Sequence, residues 1–192
     1  MADARSPLAH LDGATVIERD GIRLAENPDA GKVNLRGDAG DAVWLAAIQA
    51  AVEIDLPQAP NTSTETPPLS ALWLAPDEWM LVCADGSEGD VVASLEGAVA
   101  EFHASVVDVT DARTVFRLSG AGARNLLAKG CALDLLPRAF GLGDVAQTML
   151  AKAAVILHQT TADADEAGPV FDIYVLRSFA DYLWSWLTDA IG

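Results

Sequence analysis

The chain has 192 residues, 51% of them apolar and 21% charged, with a formal net charge of −16. That length and apolar share suit one domain, or two small lobes sharing a core, and the charge argues against a nucleic-acid ligand, whose phosphates demand a cationic surface. No run of about 18 apolar residues exists, so no membrane span is expected; MADARSPLAHLDGATV lacks the apolar stretch of a secretory signal, so a cytoplasmic protein is expected.

Taken in order, residues 14–18 (ATVIE) and 22–26 (IRLAE) flank Arg19-Asp20-Gly21 and predict a β-hairpin turning at Asp-Gly. Residues 31–36 (GKVNLR) read as a third strand. DAVWLAAIQAAVEI, 41–54, reads as a helix with Asp41 as N-cap, stopping before Pro57. The Pro- and Thr-rich stretch 56–68 (LPQAPNTSTETPP) reads as an extended linker and the place where two lobes would divide. SALWLA (70–75) and EWMLVC (78–83) form a second predicted hairpin about Ala75-Pro76-Asp77. An amphipathic helix over 88–102 follows, then short strands at 105–110 and 113–118 around Asp111-Ala112. Ser119 opens a predicted helix, GAGARNLLAK, which Gly130 ends. Strands at 145–151, 154–159 and 170–176, with an acidic loop over 161–168, lead to a last helix. No internal repeat is found. Long antiparallel pairing with helices on one face gives an α+β class.

The last helix, RSFADYLWSWLTDAIG (177–192), is unusually apolar. Ser178 suits its N-cap, with Asp181 three residues on in the capping-box position. At the helical period Tyr182, Trp186, Phe179, Ala190, Leu183, Leu187, Ala180, Ile191 and Trp184 cover roughly 200°, whereas a helix lying on one sheet needs only about 100°. Two readings stay open: deep burial on two sides by its own chain, or a flank near Trp184 that meets a partner. Tyr182, Trp184 and Ile191 are the candidate contact residues, and Trp186 is expected in the core. Residues 1–111 carry 5 basic and 20 acidic side chains, residues 112–192 carry 7 and 8; this suits a contact surface here, since interface cores are depleted in charge, and equally an acidic N-terminal half that keeps the protein soluble.

The residues that could carry chemistry assemble into no recognisable set. His10, His103 and His158 stand at no metal-ligand spacing, so no zinc site is expected. Cys83 and Cys131 read as buried, reduced thiols. Ser119-Gly120-Ala121-Gly122 lacks the third glycine of a dinucleotide fingerprint and the Lys-Ser/Thr of a P-loop, and reads as a tight turn with a helix cap. Asp77 and Glu78 point to opposite faces of a strand. Asp108 and Asp111 suit a turn.

VNLRGD (33–38), PNT (60–62), LWLAPDEWMLV (72–82), DVTDARTVFRLSGAGARNLLAKGCALDLLPRAF (108–140), AQTMLAKAAVIL (146–157) and RSFADYLWSWL (177–187) resemble, in this order, the gamma subunit of heterotetrameric sarcosine oxidase. The resemblance implies membership in a complex that oxidatively demethylates sarcosine to glycine. That complex releases hydrogen peroxide and passes the one-carbon unit to tetrahydrofolate. It implies an accessory chain without cofactor or catalytic residues, packed against the alpha subunit in a complex with beta and delta. FAD, FMN, NAD, zinc and the folate site would then sit on the other subunits. The implied fold is that of the glycine-cleavage T protein and the folate-binding iron–sulfur repair proteins, whose strand–helix signature SGAGARNLLAKG resembles. The repair proteins' K-G-C-aromatic-x-G-Q-E motif is absent, since Lys129-Gly130-Cys131 runs into Ala132-Leu133-Asp134-Leu135. No residue matches the T protein's catalytic acid. A stand-alone folate-binding or aminomethyltransferase-like protein is the alternative.

Overall fold

A computed structural model of the chain describes residues 6–11, 16–27, 30–165 and 168–192. Ala14 and Thr15 of the first predicted strand and Glu166 and Ala167 of the acidic loop lie outside these residues. The chain divides into two units, Met1–Pro28 with Asp111–Gly192, and Asp29–Thr110.

The first unit is built on a six-stranded antiparallel sheet. β1 (Val16–Arg19) and β2 (Ile22–Asn27) form the predicted hairpin. Asp20 and Gly21 both have positive φ, 52° and 72°, as the two-residue turn matching strand twist requires. The sheet order is β1, β2, β8 (Arg113–Ser119), β11 (Val170–Leu176), β10 (Ala153–Thr161), β9 (Val145–Leu150). Two helices, α3 (Ala123–Ala128) and α4 (Arg177–Ile191), share one apolar core with this sheet, centred on Phe116, Leu126, Phe171, Ile173, Leu183 and Trp184.

The second unit runs β3 (Gly31–Arg36), α1 (Ala42–Val52), β4 (Ser63–Thr66), β5 (Leu69–Ala75), β6 (Glu78–Cys83), α2 (Glu88–Val99), β7 (Ser105–Asp108). Its sheet order is β4-β5-β6-β3-β7, antiparallel throughout. Without β4 this is the split β-α-β arrangement, in which the strands either side of a helix are separated by a third strand. Asp41 caps α1 as expected, its carboxylate accepting from the N–H groups of Val43 (2.8 Å) and Trp44 (3.2 Å). Trp44 and Trp79 meet at 5.5 Å in the core beside Ile48, Leu81 and Leu95.

Two expectations are corrected. The Pro-rich stretch 56–68 does not divide lobes: it lies inside the second unit and ends in β4. The buried indole N–H of Trp79 donates to the carbonyl of Pro57 at 2.9 Å and ties the stretch to the core. The strands expected around Asp111-Ala112 are both present. A 3-10 turn, Thr110–Ala112, separates them, and β7 and β8 enter different sheets. The helix predicted from Gly120 starts at Ala123, because Gly120 (φ 105°) still belongs to the turn that follows β8.

Gly120 also admits no side chain. A Cβ there would sit 2.0 Å from the carbonyl oxygen of Gly21, in the turn between β1 and β2. Gly120→Ala combines an unfavourable φ with backbone overlap, so it is expected to cost about 2–5 kcal/mol. A urea midpoint lowered at unchanged slope would show this; a midpoint equal to that of the natural chain would refute it.

Candidate functional site

α4 follows β11 with no connecting residue, and this decides its start. Leu176, with extended backbone (φ −58°, ψ 137°), occupies the cap position and offers no side-chain bond. Ser178 therefore lies inside the helix, exposed, and is not the cap expected from sequence. Asp181 faces His10 instead, 3.1 Å from its Nε2, with both side chains more than half exposed; such a pair contributes little.

The apolar arc of α4 is split between core and surface. Ala180, Leu183, Trp184 and Leu187 are buried. Trp184 is 4% exposed and meets Phe116 edge-on at 5.3 Å and 70°. It is a core residue, and the expectation that it stands at a partner-facing flank is corrected. The surface lies at the other end of the arc. Phe179 and Tyr182 are each 40% exposed and Trp186 is half-buried. Spaced i, i+3 and i+7, these three aromatics form one stripe. Trp186, expected deep in the core, leans on Gly130, where a Cβ would approach its ring to 2.6 Å. Tyr182 accepts a hydrogen bond from the N–H of Lys152 in the β9–β10 turn, 3.2 Å. Ile191 is half-buried near the helix end, and Lys129 donates to the carbonyl of Ala190 at 2.6 Å. A cation there complements the negative end of the helix dipole.

Two polar clusters of this unit stand out by their burial. Register aligns His158 with Asp172 and Asp172 with Arg117 in one row across β10, β11 and β8. Arg117 grips Asp172 through two hydrogen bonds of 2.8 Å. Burial pushes the His158 imidazole down to about 4; the Asp172 carboxylate opposes this and the Arg117 guanidinium reinforces it. In the second cluster Arg124 bonds to both carboxylate oxygens of Asp163, to Gln159 at 2.8 Å and to the carbonyl of Leu135. Its guanidinium also lies over the Phe171 ring, 5.2 Å from the centroid. The Arg124 hydrogen bond holds the Asp163 carboxyl below its ordinary range.

The remaining candidates from sequence are engaged structurally. Glu78 accepts from Asn34 (2.8 Å) and Arg36 (2.6 Å). Asp108 accepts from the N–H of Thr110 at 2.8 Å, and Asp111 lies 3.5 Å from Arg177. Cys83 and Cys131 are buried free thiols, and burial pushes the Cys83 thiol up. A hollow of about 520 Å³ is lined by Arg36, Gly37, Asp38, Asp77, His103, Ala104 and Ser105. A second, about 310 Å³, lies over β9 and β10 beside Arg113. Among the described residues no group of three or more His, Cys, Asp or Glu could hold a metal ion. No described helix is long and apolar enough to cross a membrane.

Two antiparallel sheets with their helices, joined as described, define the T-protein-like class. Glycine cleavage system aminomethyltransferase T from Bartonella henselae has this fold, with a TM-score of 0.68 at 17% identity over 96% of this chain and 57% of that one. Residues 36–192 match the sarcosine oxidase, gamma subunit family. Sarcosine oxidase subunit gamma of Corynebacterium sp. (strain U-96) is 31% identical, covering 98% of this chain and 90% of its own length. That of an Arthrobacter species is 34% identical, with 97% and 89% covered. A chain of the heterotetrameric sarcosine oxidase from Corynebacterium sp. U-96, solved with pyrrole 2-carboxylate, superposes with a TM-score of 0.83 over 97% of this chain and 94% of that chain. The chain belongs to the sarcosine oxidase gamma subunit family.

Proposed function

We propose that this chain is the non-catalytic accessory subunit of a heterotetrameric sarcosine oxidase. The assembly demethylates sarcosine oxidatively to glycine, releases hydrogen peroxide and hands the one-carbon unit to tetrahydrofolate. The observation that carries this reading is the agreement with a chain of a heterotetrameric sarcosine oxidase over 97% of this one. In this reading the alpha subunit is the direct partner, with beta and delta in the same complex. FAD, FMN, NAD and zinc reside on those chains. The contribution of this chain is a surface: the stripe of Phe179, Tyr182 and Trp186 offers aromatic area of the kind enriched at interfaces. The fold-level likeness to an aminomethyltransferase does not carry that activity over.

The test is co-expression of the other three subunits with and without this chain. The expected result is a complex of four chains with peroxide-producing activity, and a three-chain preparation that assembles poorly or loses activity. Equal assembly and turnover without this chain would overturn the proposal.

A further inference from the structure

We propose that residues 132–144, the loop between α3 and β9, form a second docking element for another subunit of the oxidase. Its receiver is an aliphatic recess with a carboxylate at its rim. The inference rests on the accessory-subunit reading and names the part of the surface that does the joining.

The loop is apolar and firmly held, yet three of its five large apolar side chains are exposed. Leu135 and Phe140 are buried, Phe140 stacking on Phe171 at 6.3 Å. Arg124 fixes the Leu135 carbonyl. The N–H groups of Ala139 (2.8 Å) and Phe140 (3.0 Å) close a turn on the Leu136 carbonyl. Asp144 accepts from the N–H of Gly141 at 2.7 Å, and Gly143 donates to Gln159 at 2.9 Å. The side chains left outside by these anchors are Leu133, Leu136 and Leu142, at 36%, 48% and 61% exposure. Leu135 and Phe140 supply the loop's share of the buried core, so the three outer leucines contribute less to folding than these two. A held loop presents them without an ordering cost, and preorganisation of this kind strengthens binding.

The loop carries Asp134, Arg138 and Asp144, and its cation is the group a carboxylate at the partner's rim would meet. Arg138 stands among the leucines with its side chain 74% exposed, paired among the described residues with Asp134 at 3.4 Å. A guanidinium so placed remains available for a partner carboxylate. A second copy of this chain is a poor occupant, because each copy carries a net −16 and like-charged molecules repel. The loop also continues the aromatic stripe. Gly130 touches Trp186, and Leu133 lies three residues further, within about 11 Å along the chain. The loop therefore begins beside the stripe, close enough for a single large partner to meet both.

The experiment is copurification with tagged partner subunits, using the full chain. The natural chain is expected to copurify in equal amount. Leu136→Asp with Leu142→Asp is expected to weaken association at least about tenfold, a hot-spot-sized effect, at an unchanged melting temperature. Arg138→Glu is expected to weaken it too. Val43→Asp, exposed on α1 of the other unit, is expected to change nothing. If the double variant melts early, Leu142→Ser alone carries the test by the same criterion. Copurification of the loop variants at natural levels overturns the loop proposal alone. Failure of the natural chain to copurify overturns the accessory-subunit reading and this inference with it. A homodimer of the isolated chain that the loop substitutions dissolve would also overturn the inference, because the occupant would then be a second copy.

Discussion

Trp184→Ala is expected to lower the stability of the isolated chain by about 3–5 kcal/mol, the usual cost of emptying a fully packed aromatic site. Trp184 is 4% exposed, meets Phe116 edge-on and lies beside Leu183 and Leu187, all in the core of one unit. Its loss removes apolar area and an aromatic pair, and the flanking β8 and α4 cannot both close the void. Tyr182→Ala should behave in the opposite way. Its ring is 40% exposed, and its hydroxyl only accepts one long bond from the Lys152 N–H. The cost to stability is expected within about 1 kcal/mol, with association to the other subunits weakened about tenfold. Urea melts of the isolated chain and copurification of the complex separate the two residues. A Trp184→Ala chain that melts like the natural one, or a Tyr182→Ala chain that collapses, would reverse the assignment of the two flanks.

The reason sequence could not make this assignment is geometric. The apolar arc of α4 runs from Tyr182 at one end to Trp184 at the other, and periodicity fixes that order but not which end meets the sheet. The packing of α4 on β8 and β11 decides it, and so does the close approach of Trp186 to Gly130, which needs the fold of α3. Local features were legible. Asp20-Gly21 demanded positive φ and received it, and Asp41 capped α1 through its own carboxylate. Alternation located ten of the strands in place. Ser178 misled because a cap residue needs a non-helical backbone, and β11 leads into α4 so directly that Leu176 takes that role. The leucines of residues 132–144 carried no period, so nothing in the string LDLLPRAFGLG separated Leu135, which is buried, from Leu136, which is not.

The row His158–Asp172–Arg117 was equally illegible, since it exists only through the register of β10, β11 and β8. It supports a large acid-dependent effect. Burial holds the His158 imidazole at about 4 against an ordinary 6.5, so the folded chain keeps it neutral while the unfolded chain protonates it. Above pH 6.5 both states are neutral there and the residue contributes no pH dependence. As the pH falls from 6.5 towards 4, the unfolded state binds the extra proton, and stability falls with it. The full loss by pH 4 is roughly 3 kcal/mol, at 1.36 kcal/mol for each unit of pKa difference. The charges facing the ring are Asp172, which attracts the proton, and Arg117, which repels it; desolvation, reinforced by Arg117, outweighs Asp172. His158→Gln removes the titration and leaves a neutral polar side chain in its place. Its stability measured by urea at pH 7 and at pH 4.5 should therefore fall less than that of the natural chain. The difference isolates His158 from every acid-dependent contribution that the two chains share. Equal slopes for the two chains would mean that the imidazole is already solvated in the folded state and that the row is open to water.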